Sequence, residues 1–429
     1  MEMSTARKQW AVRASVAGAA FAYAAALVLW AGGGVRAEED YPFRVSIDHM
    51  VELDCFDCDG VALGDINQNG RTDILMSTGD DGETIWYAQG ETPWEWTRHH
   101  IHTIDYTPRE IEGNALADFD GDGQYEAVSL EQPQGNIYVF KHGGDPTGEW
   151  GAAIIQPDRP YVQDAMVTDI TGDGTPDLVY TWEGVEEGMG GVHWLEFTGD
   201  DVLNPDHWTD HIMTVHESGW WMAPERADLN GNGRATDIVY TARHLTGRNP
   251  ASRPGLFWLE EPEDVRGEWT SHRIDNTLPH PLHVAWGDFS GDGHGRDLVV
   301  GGFHTDTVYW YEKSRNWARH AIRLPETLNN ATTDRVWNVK GVPLGGERDY
   351  IFVAATGQDE RRGAFLMLEF IDGAYRVNNL KDIGYTHPTD DHIMVYDLDG
   401  DGQPELLMPD SGPGQDRFII MKLAVGNGG

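Results

Sequence analysis

Short apolar strands recur along the chain, and each of them ends in a loop rich in Asp, Asn and Gly. Residues 61–64 and 115–117 are two of these strands, and an apolar run follows each loop, as at residues 73–76. A third apolar strand comes next, and a fourth opens on an aromatic residue such as Trp96. Beyond residues 1–37, no stretch has the period of a helix. The pattern predicts an all-β chain of four-stranded antiparallel units.

Six loops share this arrangement, and their first Asp residues are 51 to 60 residues apart, except for one gap of 109. The long gap predicts a seventh unit near Lys340, where a strand-forming run survives at residues 349–353 but the loop carboxylates do not. A strand-rich repeat of this length is typical of a β-propeller. The last unit lacks a fourth strand, which residues 41–47 would supply. We therefore predict a seven-bladed β-propeller whose ring is closed by the N-terminal strand.

Oxygen-bearing side chains alternate along each loop, and a carboxylate follows as the chain enters the next strand. A tight loop turns every second residue inward, so these side chains would supply the oxygens that Ca²⁺ prefers. An EF-hand is excluded, because it needs a bidentate Glu at its twelfth position and a helix on each side. We predict structural Ca²⁺ at up to six loops. The ligands would be Asp65, Asn67, Asn69, Asp73, Asp118, Asp120, Asp122, Glu126, Asp169, Thr171, Asp173, Asp177, Asp228, Asn230, Asn232, Asp237, Asp288, Ser290, Asp292, Asp297, Asp397, Asp399, Asp401 and Glu405.

The loops that start at Asp118 and Asp397 read D-x-D-x-D-G-x-x-E, which resembles the FG-GAP/VCBS repeats of bacterial secreted proteins and of integrin α-subunit propellers. The resemblance covers about residues 41–429. It implies a seven-bladed propeller with Ca²⁺ on the blade loops, and it says little about activity. The loops at Asp228 and Asp288 carry one extra residue before the closing Asp, which leaves their ligand register open. The segment at Lys340 departs completely, and we expect no cation there.

Residues 1–37 have the features of a signal peptide. A basic start that includes Arg7, Lys8 and Arg13 precedes an Ala-rich run, and residues 35–37 fit a small-x-small cleavage site. A retained membrane anchor is the alternative. Cleavage would leave residues 38–429 as a single propeller domain in a secreted or periplasmic protein.

The chain is strongly acidic, with a formal net charge of −40 at pH 7. This charge argues against nucleic acid or an anionic membrane surface as a partner. The two cysteines, Cys55 and Cys58, predict a local disulfide in an exported protein, since nearby Asp residues disfavour a reactive thiolate and a zinc site would need a second pair. Four histidines lie three residues after a strand-opening Trp, and this periodicity predicts a packing role. They are His99, His211, His272 and His320.

We expect function at the face opposite the loops, where the repeats differ from one another. Arg, Trp and Tyr side chains near that face would suit the carboxylates and sugar rings of an acidic glycan. The residue five positions before each first ligand would form a ring at the mouth of the central channel. The ring reads Gly60, Gly113, Asp164, Ala223, His283, Arg335 and His392. The substrate-binding candidates are Arg243, Arg248, Trp220, Trp221, Trp337 and His280.

Two functions remain open at this stage. One is an extracellular polysaccharide lyase, or a related β-eliminating sugar dehydratase. In it Arg335, with Arg243 or Arg248, would neutralise a uronate carboxylate. His283 or His392 would then remove the adjacent proton, and Tyr385 or His280 would protonate the leaving oxygen. The other function is a non-catalytic propeller that binds a glycan or adheres to a protein. A redox or cofactor enzyme is disfavoured, because the sequence has no CxxCH haem motif and no Gly-rich phosphate loop.

Overall fold

The computed structural model describes residues 43–426 apart from 56–57, 80, 107–109, 133, 185–189, 216–218, 243–253, 294–295, 303–304, 329–330, 333–334, 357–362, 384–391 and 411–416. This part of the chain is an all-β propeller of four-stranded antiparallel blades, as predicted. Its helices are two 3-10 turns, at Pro205–His207 and Lys313–Arg315. Neither they nor any other helix of the described residues could span a membrane.

Four separate sheets each consist of four strands that are consecutive in the chain. The first two contain β2 (Cys58–Gly64), β3 (Asp73–Thr78), β4 (Glu83–Gln89) and β5 (Trp96–Thr103), then β6 (Ile111–Ala117), β7 (Glu126–Glu131), β8 (Asn136–His142) and β9 (Trp150–Gln156). The next two contain β10 (Val162–Thr168), β11 (Asp177–Trp182), β12 (Gly191–Phe197) and β13 (Trp208–Thr214), then β14 (Gly219–Met222), β15 (Ile238–Ala242), β16 (Gly255–Glu260) and β17 (Thr270–Asp275).

The fifth separate sheet is completed by the start of the propeller chain. It contains β28 (Met394–Tyr396), β29 (Glu405–Asp410), β30 (Arg417–Val425) and β1 (Val45–Asp54). β1 is antiparallel to β30, with Val45 opposite Val425 and Asp54 opposite Arg417. The predicted pairing of the N-terminal strand with the last unit is confirmed, although the strand runs to Asp54 rather than ending at residue 47.

The remaining strands form one eight-stranded sheet and a short hairpin, so seven separate blades are not observed. The two halves of the large sheet meet at the pair Gly302–Val336. A Cβ on Gly301 would lie 3.0 Å from Val336, so the close approach of the two halves leaves little room for a side chain there. The sheet contains β18 (Pro281–Gly287), β19 (Asp297–Gly302), β20 (Thr307–Glu312), β21 (Ala318–Arg323), β24 (Arg335–Val342), β25 (Tyr350–Thr356), β26 (Gly363–Ile371) and β27 (Ala374–Ile383). The hairpin is β22 (Thr327–Leu328) with β23 (Ala331–Thr332).

The core lies between neighbouring sheets, because the second strands are buried on both faces. All six residues of β3, β7, β11 and β19 are buried. Consecutive sheets are also tied by hydroxyl groups: Thr181 Oγ1 donates to Trp220 O at 2.7 Å, and Thr241 Oγ1 donates to Leu282 O at 2.6 Å. The first strands approach so closely that a Cβ on Gly113 would lie 2.7 Å from Gln163 O. Small residues in these strands are therefore a packing requirement.

The periodic histidines stack on tryptophans of the neighbouring third strands, which confirms their predicted packing role. His272 lies 4.1 Å from Trp258 and His320 lies 3.8 Å from Trp310, measured between ring centroids. His99 and His211 stack in the same way on Trp86 and Trp194.

The two cysteines are joined as the predicted local disulfide. Cys55 is bonded to Cys58, and their Cα atoms are 5.8 Å apart. The bond links the end of β1 to the first residue of β2, so it fastens the closing strand to the first sheet.

Candidate functional site

The six acidic loops connect the first strand of a sheet to the second, and all six adopt the same turn. The first Asp accepts a hydrogen bond from the N–H of the glycine five residues later. The N···O distance is 2.7 Å from Gly70 to Asp65, 3.1 Å from Gly293 to Asp288 and 2.9 Å in the other four loops. These glycines have φ between 63° and 91°, a range that side chains disfavour. Glycine is therefore required to wrap the loop around its first carboxylate.

The closing carboxylate is held by the backbone at the start of the loop. Phe119 N donates to Glu126 Oε2 at 2.9 Å, and Ile170 N donates to Asp177 Oδ2 at 2.8 Å. Burial raises the pKa of both carboxyl groups to about 7, although these N–H groups oppose the rise. Burial likewise raises the pKa of Asp73 to about 6. Each loop thus presents a buried acid that a nearby positive charge would stabilise.

In the two loops with an extra residue, the closing carboxylate still accepts a hydrogen bond from the start of the loop. Leu229 N donates to Asp237 Oδ2 and Ser290 N donates to Asp297 Oδ2, both at 2.8 Å. The donor is the second residue of the loop at Asp228, as it is at Asp118 and Asp169, but the third residue of the loop at Asp288.

The loops fit a hard cation, because all their side-chain donors are oxygens. The carboxylates of Asp118, Asp120 and Asp122 offer oxygens within 4.8 Å of one another, as do those of Asp397, Asp399 and Glu405. Buried oxygens without a hydrogen-bond partner among the described residues include Asp118 Oδ1 and Ser290 Oγ. Acidic groups that could hold a metal ion are therefore present.

Two loops also receive a lysine, which the sequence analysis missed. Lys141 Nζ of β8 lies 2.8 Å from Asp122 Oδ2 and 3.1 Å from Glu126 Oε1, and it also donates to Asp120. Lys422 Nζ of β30 lies 2.7 Å from Asp401 Oδ2 and donates to Asp399. Burial alone would lower the pKa of each lysine, but the carboxylates outweigh it and the pKa is raised. Both ammonium groups therefore stay charged inside the loops.

At the opposite end of the first strands, four residues form an axial cluster: Asp164, Trp221, His283 and His392. The Trp221 ring lies 4.6 Å from that of His283 and 4.8 Å from that of His392. His392 Nε2 lies 3.4 Å from Asp164 Oδ1. Met222 N donates to Asp164 Oδ2 at 2.8 Å. Side chains from four different first strands or their leading segments thus meet at one point.

The axial cluster is buried rather than open. His283 is 2% exposed and His392 is 8% exposed. His283 Nδ1 lies 2.8 Å from Trp337 O and must donate to it, so Nε2 is the nitrogen that lacks the proton in the neutral ring. His392 Nδ1 has no hydrogen-bond partner within the described ranges. The two histidines predicted as catalytic are therefore brought together, with Trp221 between them.

The strand pairing places Asn338, and not Arg335, at one position of the predicted ring. Trp286 is opposite Leu298 and Gly341 is opposite Ile351, which makes Asn338 the counterpart of His283. Arg335, which the sequence spacing placed in the ring, instead begins β24 three residues earlier and is half-buried. The error arose because this unit has lost the loop ligands from which the position was counted.

Lys340 of β24 is coupled to the axial cluster. Burial lowers the pKa of its ammonium group to about 8, and the negative charge of Asp164 opposes this shift. The lysine was singled out from the sequence only as the place where a cation loop is lost. It lies instead within a strand that ends at Val342.

The other predicted residues differ in placement. Trp220 is buried beside Trp221 and Leu282, Trp337 is half-buried within β24, and His280 directly precedes β18 with a φ of 46°. Arg243, Arg248 and Tyr385 lie outside the described residues.

A second polar cluster went unpredicted because its members come from distant positions. Asp210 accepts from Tyr180 Oη at 2.8 Å and lies 3.2 Å from His193 Nδ1. Arg159 Nη2 donates to Asp210 and its guanidinium lies 5.2 Å from the Trp182 ring. Burial would raise the pKa of Asp210, but these partners lower it. The Arg159 charge is thus already matched within the fold.

Comparison with known proteins supports the fold. Residues 118–180 match the FG-GAP-like repeat family, a stretch that starts at the Asp118 loop. None of the curated proteins matches the chain.

Three solved structures illustrate the range of similar chains. The PQQ-bound aldose sugar dehydrogenase of Streptomyces coelicolor is 13% identical, with 79% of this chain and 98% of that chain covered and a TM-score of 0.39. Sqt1 of Saccharomyces cerevisiae is 8% identical, with coverage of 89% and 100% and a TM-score of 0.49. A lectin of Agrocybe aegerita that recognises non-reducing terminal N-acetylglucosamine is 12% identical, with coverage of 87% and 93% and a TM-score of 0.45.

Proposed function

We propose that this protein is a secreted, Ca²⁺-stabilised propeller of seven blades that binds carbohydrate at the face opposite its acidic loops. The eight-stranded sheet counts as two blades, because each half repeats the four-strand order and the halves share one residue pair. Export is supported by the signal-like composition of residues 1–37.

Calcium is assigned to the acidic loops as a structural ion. The alternating side-chain oxygens and the closing carboxylate of a loop would hold it, as Asp169, Thr171, Asp173 and Asp177 illustrate. A bound cation neutralises the buried carboxylate and fixes the turn between the first and second strands. It does no chemistry on a substrate.

Support for a binding face comes from the axial cluster. Connections into the first strands converge there, and the cluster places an indole and two imidazoles at the axis instead of the small residues found in other blades. His392 Nδ1 is a buried polar atom with no hydrogen-bond partner from the described residues. Buried polar atoms without a partner are uncommon, and polar groups beside an aromatic ring are typical of sugar sites.

An acidic glycan is the favoured ligand class. The half-buried Arg335 begins β24 next to Trp337, so one segment offers both a guanidinium for a carboxylate and an indole for a sugar ring. Binding is favoured over lyase chemistry because His283 and His392 are 2% and 8% exposed, whereas a base must reach the substrate proton. Adhesion to a protein remains the alternative use of the same face.

The test is a panel of neutral and uronate-containing polysaccharides. We expect a uronate polysaccharide to bind, and Arg335→Ala to weaken it about tenfold or more, since a charge-assisted hydrogen bond is lost. Arg315→Ala is the matched control, because Arg315 lies in the 3-10 turn between a third and a fourth strand, at the loop face. No binding across the panel would refute the glycan proposal. Absorbance of unsaturated products would instead establish a lyase.

A further inference from the structure

Lys141 and Lys422 occupy the same position in two different sheets. In both sheets, the residue after the closing carboxylate faces a residue of the third strand: Ala127 is opposite Phe140, and Leu406 is opposite Met421. The lysine is the next residue along that third strand. Two of the six lysines in the chain are therefore placed by strand register at the acidic loops.

The ammonium groups lie against carboxylates that a loop cation would need as ligands. Lys141 Nζ donates to Asp120 and Asp122, and it lies 3.1 Å from Glu126 Oε1, so three carboxylates surround the ammonium group. Lys422 Nζ repeats this arrangement with Asp399 and Asp401, and it lies 3.8 Å from Glu405. The side chains are only 21% and 19% exposed.

The sequence pairs these lysines with one kind of loop. Only the loops at Asp118 and Asp397 carry three Asp residues and a closing Glu, whereas the other four close with Asp and have Asn, Thr or Ser among their ligands. At the register position of the lysines, the other four sheets carry Ala88, Glu196, Glu260 and Glu312. Each of the three Glu residues is paired with one of the stacked histidines.

We propose that Lys141 and Lys422 are built-in cations, so that the loops at Asp118 and Asp397 need no divalent ion and only the four Asp-closed loops take one up. A divalent ion would use the same carboxylate oxygens as the ammonium group, and two cations cannot share them at these distances. The inference refines the cation role proposed above and rests on it for the four other loops.

The experiment counts bound Ca²⁺ by equilibrium dialysis of the chelator-stripped protein. We expect four ions in the wild type and six in the double variant Lys141→Met, Lys422→Met, with five in each single variant. Lys381→Met is the matched control, because it removes a lysine near the far end of an outer strand, and it should leave the count at four. Equal counts in the wild type and the double variant would overturn the inference.

A variant that adds a lysine, instead of removing two, tests the proposal even if the double variant does not fold. Ala88→Lys places an ammonium group at the equivalent position beside the Asp65 loop and removes no charge, and we expect it to lower the count by one. An unchanged count would contradict the proposal. A wild type without bound Ca²⁺ and a double variant with two ions would refute the role of the four Asp-closed loops while supporting the lysines. No ions in either protein would overturn both.

Discussion

The acidic loops and the axial cluster lie at opposite ends of the first strands and differ in how they are built. Every loop has Asp at its first position and glycine five residues later, joined by the same hydrogen bond, so the same turn occurs six times. At the axis the residues are not repeated in this way, and the cluster there contains Asp164, His283 and His392. The turn is thus repeated at one end of the first strands, whereas the residues at the other end vary.

The largest expected effect is the loss of thermal stability when cations are removed from the acidic loops. Chelation of Ca²⁺ should lower the melting temperature by about 10 °C or more, since each site filled at a hundredfold excess over its Kd stabilises the fold by about 2.7 kcal/mol. Differential scanning calorimetry with and without EDTA would measure the change.

Readdition of ions is the control for this chelation experiment. Ca²⁺ should restore the melting temperature more completely than Mg²⁺, which demands octahedral geometry and dehydrates reluctantly. A melting temperature that EDTA leaves unchanged would contradict structural cation sites.

The second prediction concerns the loss of a carboxylate from the axial cluster. Asp164→Ala should lower the free energy of unfolding by about 2–3 kcal/mol, because Met222 N and His392 lose their carboxylate partner inside the fold. Asp200→Ala is the control: the Asp200 side chain is 98% exposed, and its loss should cost less than about 0.5 kcal/mol. Urea unfolding in excess Ca²⁺ measures both variants. Equal effects would mean that the axial cluster contributes no stability.

The loop end was predictable from the sequence because its physics is local. A φ near 80° demands glycine, and alternate oxygens follow from the spacing, so the Asp118 loop is readable from nine residues. The pairing of β1 with β30 was also predictable, since one unit lacked a strand. The joining of the two halves of the eight-stranded sheet at Gly302 was not, because it depends on a close approach across the sheet edge.

The axial end was only partly predictable because its contacts join distant residues. Counting back from each loop found Asp164, His283 and His392, but it named Arg335 where the register places Asn338. Without loop ligands near Lys340, the spacing had no reference point. The lysines at 141 and 422 were missed for a related reason, since they lie about 20 residues from the carboxylates they contact.

The last prediction sharpens the comparison through the pH dependence of stability, because a buried lysine places a charge near the axial cluster. The pKa of Lys340 is about 8 in the folded protein and 10.5 in an ordinary environment. Between these values the unfolded chain binds the proton and the folded chain does not, so stability should rise as the pH rises from 8 to 10.5. Below pH 8 both states are protonated, and the full cost of burying the charge remains.

Lys340→Met removes the titrating group, so the free energy of unfolding of the wild type minus that of the variant should increase by about 2–3 kcal/mol from pH 8 to 10.5. Chemical denaturation at several pH values in excess Ca²⁺ would measure it. In the Asp164→Asn background the increase should begin below pH 8, because Asp164 no longer favours the charged lysine. A difference that stays constant with pH would show that Lys340 is solvated like a surface lysine, and the axis would then be more open than its buried histidines indicate.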